Sequence, residues 1–325
     1  MNEPSSPQLS VVVIAHNMRR QAMNTLYSLC ADYQHHVSES RYEVIVVEND
    51  SADMLNPDEV AALGSNFHYL SRNETGVSPA AAINHALSLC RGQQIGLMID
   101  GARMLTPGVI HAALGALSQN DGLVVVPAYY LTEAGRSEGD PDSILALESE
   151  LLDRLHWKQD GYQLFTEACF SNGNRHGYME PIMECTALFC DAWRLQAIGG
   201  ADEAFDLPGG GALNLHLFRR LATQGDCTMY VLPGEGNFHQ FHGGTSTTAG
   251  PERDALVRRF KEQLDSYWPG GFKGVSREPV LFGSVGRHAL PFLTQSAESA
   301  KLRLDRFAER NKNPWPDERT DTATA

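Results

Sequence analysis

The chain contains no apolar run approaching the roughly 20 residues that a bilayer-spanning helix needs. Its first residues, MNEPSSPQLS, have neither the basic stretch nor the apolar core of a secretion signal. Positive charge is scarce: 26 Lys and Arg stand against 40 Asp and Glu, a formal net charge of -14. That balance excludes a general nucleic-acid binder, whose affinity comes from clustered cations, and leaves only a local patch for peripheral membrane contact. The six cysteines (Cys30, Cys90, Cys169, Cys185, Cys190 and Cys227) form no CxxC pair. Four of them lie in apolar or helical stretches, where a small buried hydrophobe is the ordinary role. Reduced thiols in a cytoplasmic protein are the expectation. No P-loop occurs, and no GxGxxG follows the first apolar run, which leads straight into AHNMRR. P-loop phosphoryl transfer and Rossmann-type hydride transfer are therefore set aside.

What is present is an ordinary globular composition over 325 residues, 42% hydrophobic, with a pattern of alternating strands and helices. Leu9 to Ala15 (LSVVVIA) and Tyr42 to Glu48 (YEVIVVE) are short, β-branched runs of the kind buried on both faces of a sheet. Between them Arg19 to Tyr33 carries Met23, Leu26, Cys30 and Tyr33 at helical spacing, completing a βαβ unit and predicting a parallel sheet. Strands follow at Phe67–Leu70, Ile95–Ile99 and Leu123–Pro127, with helices opened by Ser78-Pro79 and Thr106-Pro107 between them. Beyond residue 140 the pattern loosens. Helices are predicted over Ile144–Trp157, Leu213–Leu221 and Pro251–Trp268, and a short one ends at Gly199-Gly200. Strands are predicted over Glu184–Cys190 and Thr228–Leu232, and Gly161 to Met179 reads as a loop-rich insertion. The expected fold class is α/β, with a mostly parallel sheet flanked by helices.

Open parallel sheets bind ligands at the carboxyl ends of their strands. Here those ends carry Ala15-His16-Asn17, Glu48-Asn49-Asp50-Ser51, Arg72-Asn73 and Asp100-Gly101. An acid after a buried strand also serves as an ordinary turn former or cap. His239 and His242, three residues apart, form a possible metal pair on weak spacing evidence, with His242 the stronger of the two.

These pieces resemble glycosyltransferase family 2, inverting enzymes with a GT-A fold, over roughly residues 9 to 245. The resemblance rests on SVVVIAHN, VIVVENDSAD, SRNETGVSPAAAINHAL, IGLMIDGARMLTPGVI, AIGGADEAFDLPGG and FHQFHGGTS, in that order. It implies a GT-A-type Rossmann-like domain over residues 1–250, a helical C-terminal extension over 251–311 and a disordered tail over 312–325. By the same resemblance Ala15, His16, Asn17 and Glu48 line a nucleotide pocket, and the stretch from Asn73 to Asn84 closes over base and ribose. Asp100 holds Mg2+ or Mn2+ against a diphosphate, with His242 as second ligand. The implied donor is a nucleoside diphosphate sugar, UDP-linked, and the acceptor a hydroxyl of a saccharide or another molecule. No oligomeric state is implied.

The chain departs from the family in two places. The family's second aspartate, two residues after the first, is Ala102 here; either water and the donor complete an ion's shell, or Arg103 supplies positive charge instead. The family's acidic pair before a helix ending in Arg-Leu falls on Leu213-Asn214, and asparagine cannot act as a base. Glu184 is the preferred replacement as catalytic base, with Glu180 and His216 as alternatives. A catalytically silent nucleotide-sugar-binding or scaffold protein of a polysaccharide assembly system is the competing reading.

Overall fold

The computed structural model describes residues 6–73, 76–131, 140–242, 251–268, 271–275 and 277–312. The expected tail thus lies outside the described residues except for Lys312, as do residues 243–246 of the last family-like segment. The first half alternates as predicted, with a short α2 added: β1 (Leu9–Ala15), α1 (Arg19–Tyr27), β2 (Tyr42–Asn49), α2 (Pro57–Ala61), β3 (Phe67–Arg72), α3 (Ala80–Leu89) and β4 (Gln94–Met98). Every residue of β1 and β2 is buried, which is why their centres are runs of Val and Ile, VVVI in β1 and VIVV in β2. A short β5 (Arg103–Leu105), α4 (Val109–Leu117), β6 (Gly122–Val125), β7 (Ala128–Tyr130), α5 (Pro141–Leu155) and β8 (Cys169–Phe170) follow. The chain continues through β9 (Leu188–Asp191), α6 (Ala192–Ala197), α7 (Leu213–Ala222), β10 (Thr228–Val231), β11 (Asn237–His239), α8 (Pro251–Tyr267), β12 (Val280–Leu281) and α9 (Leu290–Glu309).

Eight strands form one sheet in the order β12-β10-β6-β9-β4-β1-β2-β3. All its pairings are parallel except those of β9, which runs antiparallel between β4 and β6. The carboxyl ends of β1, β2, β3 and β4 therefore open on one edge. A second sheet, in the order β5-β11-β7-β8, was not foreseen because its strands are only two or three residues long. Helices and both sheets share one continuous hydrophobic core running from Leu9 to Phe292.

Some boundaries differ from the periodicity. The first helix stops at Tyr27 rather than Tyr33, since residues 28–34 fold into turns that fix Tyr33 Oη to the Leu105 carbonyl at 2.9 Å. The strand expected from Glu184 begins only at Leu188. Thr186 is held instead to Asn237 Oδ1 of β11 at 2.9 Å, while the Ala187 carbonyl still accepts from the Val126 amide at 3.2 Å. Thr106 gives its hydroxyl to Glu235 at 2.5 Å, and α4 opens later, at Val109. The region after residue 250 contributes more than helices: β12 extends the main sheet, Val275 bridges Ile182, and Phe292 packs on Tyr129 with ring centres 4.8 Å apart.

One packing contact fixes the far end of β11. Asp140 caps α5 by accepting from the Ser143 amide at 3.0 Å, and two turns later the helix buries Glu148. Glu148 Oε2 accepts from the Phe241 amide at 2.7 Å and Oε1 from Arg20 at 3.0 Å. From α1, Gln21 donates to the Phe241 carbonyl at 2.6 Å and Asn24 to Gln240 at 2.9 Å. Residues 240–241 are thus clamped from two helices.

Burial pushes the Glu148 carboxyl up to about 7, against the opposing pull of the Phe241 amide and Arg20. The folded chain then keeps a proton that the unfolded chain gives up near the ordinary glutamate value. Its contribution to stability is complete below about pH 4.5 and is lost as pH rises to about 7. A shift of this size corresponds to roughly 3 kcal/mol. In urea unfolding between pH 4.5 and 7.5, Glu148→Gln is expected to flatten most of that slope; an unchanged slope would assign the pH dependence elsewhere.

Candidate active site

The turn from β4 into β5 carries Asp100. Its Oδ1 accepts from the Ala102 amide at 3.0 Å, so the aspartate does cap its own turn, as the plainer reading required. Gly101 is needed there because a Cβ would stand 2.8 Å from the Ile14 carbonyl oxygen of β1. The turn's close approach to β1 brings Asp100 to the same sheet edge as His16 and Asn17.

Three further groups converge on the Asp100 carboxylate. Arg103 Nε donates to Oδ2 at 3.1 Å, and His239 Nε2 lies 3.2 Å from the same oxygen. His242 Nε2 lies 3.8 Å from Oδ1 and 3.1 Å from His239 Nε2. The small sheet explains this meeting. Antiparallel pairing of β5 with β11 sets His239 opposite Arg103, and the clamp on residues 240–241 delivers His242 to the same spot. On the other side of His239, parallel pairing places Tyr130, with ring centres 5.9 Å apart.

The electrostatics follow from that packing. Burial would raise the Asp100 pKa, but His242, Arg103 and His239 together hold it well below the usual carboxylate range. Burial, reinforced by Arg103, pushes His239 down to about 4 although Asp100 opposes the shift. At neutral pH the cluster therefore offers a carboxylate and an uncharged His239 imidazole. Asp100, His239 and His242 form the one group among the described residues whose ligand atoms lie close enough together to hold a metal ion. Ligands about 2.1 Å from one ion at right angles stand about 3 Å apart, close to the 3.1 and 3.2 Å contacts here. His239 is a candidate ligand that carried less weight in the sequence than His242; its only sequence signal was the three-residue spacing between them.

The other strand ends are stitched together rather than open. His16 Nδ1 donates to the Asn49 carbonyl at 2.6 Å, and its Nε2 accepts from Asn17 Nδ2 at 2.9 Å. Asn17 also accepts from the Ala52 amide at 2.7 Å. His16 and Asn17 are exposed, while Ala15 is buried in β1. Glu48 is fully buried: Oε2 accepts from the Leu55 amide at 2.9 Å and from Tyr69 at 2.6 Å, and Oε1 has no hydrogen-bond partner. Its visible job is to hold the loop after β2 from beneath. Asn73 is exposed beyond β3. Asn84 faces the GGADE segment, accepting from the Ala201 amide at 2.8 Å and donating to the Ala201 carbonyl and Glu203, each at 2.9 Å.

Glu184 Oε2 accepts from Asn214 Nδ2 at 2.8 Å. Asn214 sits in the first turn of α7, and its own Oδ1 is buried without a partner. The two alternatives to Glu184 are otherwise engaged. Glu180 pairs with Arg303 at 3.0 Å. His216 accepts from Trp268 Nε1 at 3.1 Å and lies between Phe205 and Tyr267; burial, with Arg220 second, pushes it down to about 4.

The family model described as Glycosyl transferase family 2 matches residues 10–182, more than half of the chain. Among solved structures, TarS 1–349 of S. aureus matches with a TM-score of 0.50 and 13% identity, over 90% of this chain and 80% of that one. Mannosyltransferase PcManGT from Pyrobaculum calidifontis, solved with GDP-Man and Mn2+, gives 0.48 and 15% over 98% and 85%. Glucosyl-3-phosphoglycerate synthase from Mycobacterium tuberculosis, solved with Mn2+, UDP and glucosyl-3-phosphoglycerate, gives 0.43 and 15% over 81% and 80%. At such identities the likeness to TarS is one of fold. No curated protein sequence matches the chain significantly. With its motifs in family order and more than half its length matched, the chain belongs to glycosyltransferase family 2, the nucleotide-sugar-dependent glycosyltransferases.

Proposed function

We propose that the protein transfers a sugar from a nucleoside diphosphate donor to a hydroxyl of a saccharide or other acceptor, with inversion at the anomeric carbon. The observation that carries this reading is the convergence of Asp100, Arg103, His239 and His242 where β4 ends. A divalent ion held there by the aspartate and the two imidazoles would neutralise charge on the departing diphosphate. Arg103, already 3.1 Å from Asp100, is placed to turn its fork toward a phosphate. His16, Asn17 and Asn73 border the nucleotide side, and Glu48 and Asn84 act through the loops they hold. UDP-sugars are the first donors to test.

Inversion needs one group to take the acceptor proton as its oxygen attacks the anomeric carbon and the bond to the diphosphate breaks. We assign that role to Glu184. It stands within hydrogen-bond reach of the position where the family's acid is expected, and Asn214 fixes its carboxylate. The extension over 251–311 walls the acceptor side through α8, whose Leu264 is buried. A cytoplasmic setting with reduced cysteines goes with this reading, and no helix among the described residues is long and apolar enough to cross a membrane.

Asp100→Asn is expected to abolish transfer while leaving the unfolding midpoint within a few degrees of wild type; full activity in this variant would remove the aspartate from the mechanism. In thermal unfolding, the correct nucleotide at about 100 times its dissociation constant should add roughly 2.7 kcal/mol, and EDTA should abolish that shift. Glu184→Gln is expected to lower kcat by about 10²–10⁴-fold with donor KM little changed. A change in KM alone would make Glu184 a binding group and reopen the search for the base.

A further inference from the structure

Away from the Asp100 cluster, a polar cavity of about 370 Å³ opens at the far end of the small sheet. The β5–β11 ladder sets its position. Arg103 faces His239 at the cluster end, and past Leu105 the Thr106 amide donates to the Gly236 carbonyl at the other. Three residues of strand, about 10 Å, separate the two ends. Three segments meet at the cavity: the turn after α5 with Asp160 and Tyr162, the loop before β11 with Glu235, and the loop after β12 with Gly286, Arg287 and His288. Parallel pairing of β12 with β10 brings the two loops together. A Cβ at Gly234 would collide with the Ser284 carbonyl oxygen, so backbone rests directly on backbone there. Glu235 is pinned in place: Oε2 accepts from the Thr106 hydroxyl and the Gly108 amide, and Oε1 from Tyr162 Oη at 2.9 Å. The walls are therefore built by the fold itself.

The lining sets hydrogen-bond acceptors beside donors. Asp160 accepts from the Tyr162 amide at 3.1 Å with one oxygen and from Gln163 at 2.9 Å with the other, which leaves each oxygen a second lone pair. Tyr162 Oη donates to Glu235 and keeps its own acceptor capacity. His288 Nε2 accepts from Arg287 Nε at 3.1 Å, so the ring's hydrogen sits on Nδ1, and the Arg287 fork carries further N–H donors. Two carboxylates disfavour a phosphate, and the guanidinium disfavours a cation. Hydroxyl groups donate and accept at once, and they match both halves of the lining. The Tyr162 ring adds an apolar surface of the kind that a sugar's C–H face packs on. The volume lies at the small end of ligand pockets, roughly 300–1,000 Å³. We infer that this cavity binds a neutral, hydroxyl-rich sugar unit at a site separate from the transfer centre. The same chemistry recognises a free monosaccharide and one ring of a longer saccharide chain.

The test is a ligand-detected NMR titration of the full-length protein with glucose, N-acetylglucosamine, maltotriose and chitotriose, and with glucose 6-phosphate as the charged comparison. At least one neutral sugar should bind, and Arg287→Ala should weaken it by about tenfold or more. Gly286 lines the cavity and a Cβ there meets no neighbouring atom within 4 Å, so Gly286→Trp fills the space. That variant should lose binding while its unfolding midpoint stays near that of the wild type. Affinity in Asp100→Asn and Glu184→Gln should stay within about threefold, which separates this site from the transfer centre. A trisaccharide that binds about tenfold more tightly than its monomer identifies a chain as the occupant, and equal affinity identifies a free sugar. No binding by any of the four neutral sugars would overturn the site. So would binding that survives Arg287→Ala and a folded Gly286→Trp, or that is lost in Asp100→Asn. Tighter binding of glucose 6-phosphate than of glucose would overturn the neutral class. The donor reading has its own readout in the nucleotide-dependent unfolding shift, so either reading can fail without the other.

Discussion

The Asp100 carboxylate is the point on which the site depends. It is mostly buried, with a side-chain exposure of 22%, and a lone carboxylate in such a place would be driven toward its neutral form. It stays ionised because Arg103, His239 and His242 surround it. Each of those neighbours relies on a different part of the chain. Arg103 is held by β5, His239 by β11, and His242 by the turn clamped between α1 and α5. A weakness in any of these supports leaves a buried charge short of a partner, which is costlier than the loss of one surface ion pair.

The two sheets divide the labour accordingly. The large parallel sheet aligns strand ends at one edge, where hydrogen bonds through His16, Asn17 and Glu48 tie successive loops together. The small sheet supplies what such an edge lacks. It crosses the edge with β11 and brings a pair of histidines from late in the chain to an aspartate from its first third. The helices contribute through polar side chains as well as apolar faces: Gln21, Asn24 and Glu148 all spend buried hydrogen bonds on two residues, 240 and 241.

How much of this was legible depended on the range of the interaction. The buried strands were readable because a strand covered on both faces must be apolar throughout, and β1 was placed to the residue. Asp100 and His242 were readable as types in a pattern. His239 was read only as the weaker half of a three-residue pair, because its place beside Asp100 comes from a cross-strand pairing with Arg103 in a sheet too short to leave a periodic trace. Glu48 shows the converse. Its place in a nucleotide pocket is what the family resemblance implies, and the inward turn of the side chain to Leu55 and Tyr69 is a direction that the sequence pattern does not encode. Asn84 likewise faces the Ala201 backbone, a partner defined only by how α3 meets the double-glycine turn.

The two departures from the family pattern acquire a common form in three dimensions. At Ala102 and at Asn214 an acid is missing from its usual place in the chain. Beside each of those places stands a group of suitable chemistry from a remote segment: His239 against Asp100, and Glu184 against Asn214 at 2.8 Å. A motif specifies which residue carries a function, whereas chemistry constrains only which atoms meet the substrate. A chain can therefore lose both motif acids and still keep an anion-stabilising centre and a proton acceptor, provided the fold brings equivalents to the same points. The replacements are not identical in kind. An imidazole in place of a carboxylate changes the charge and softness of the donor set, so the centre is no copy of paired aspartates even where the positions coincide.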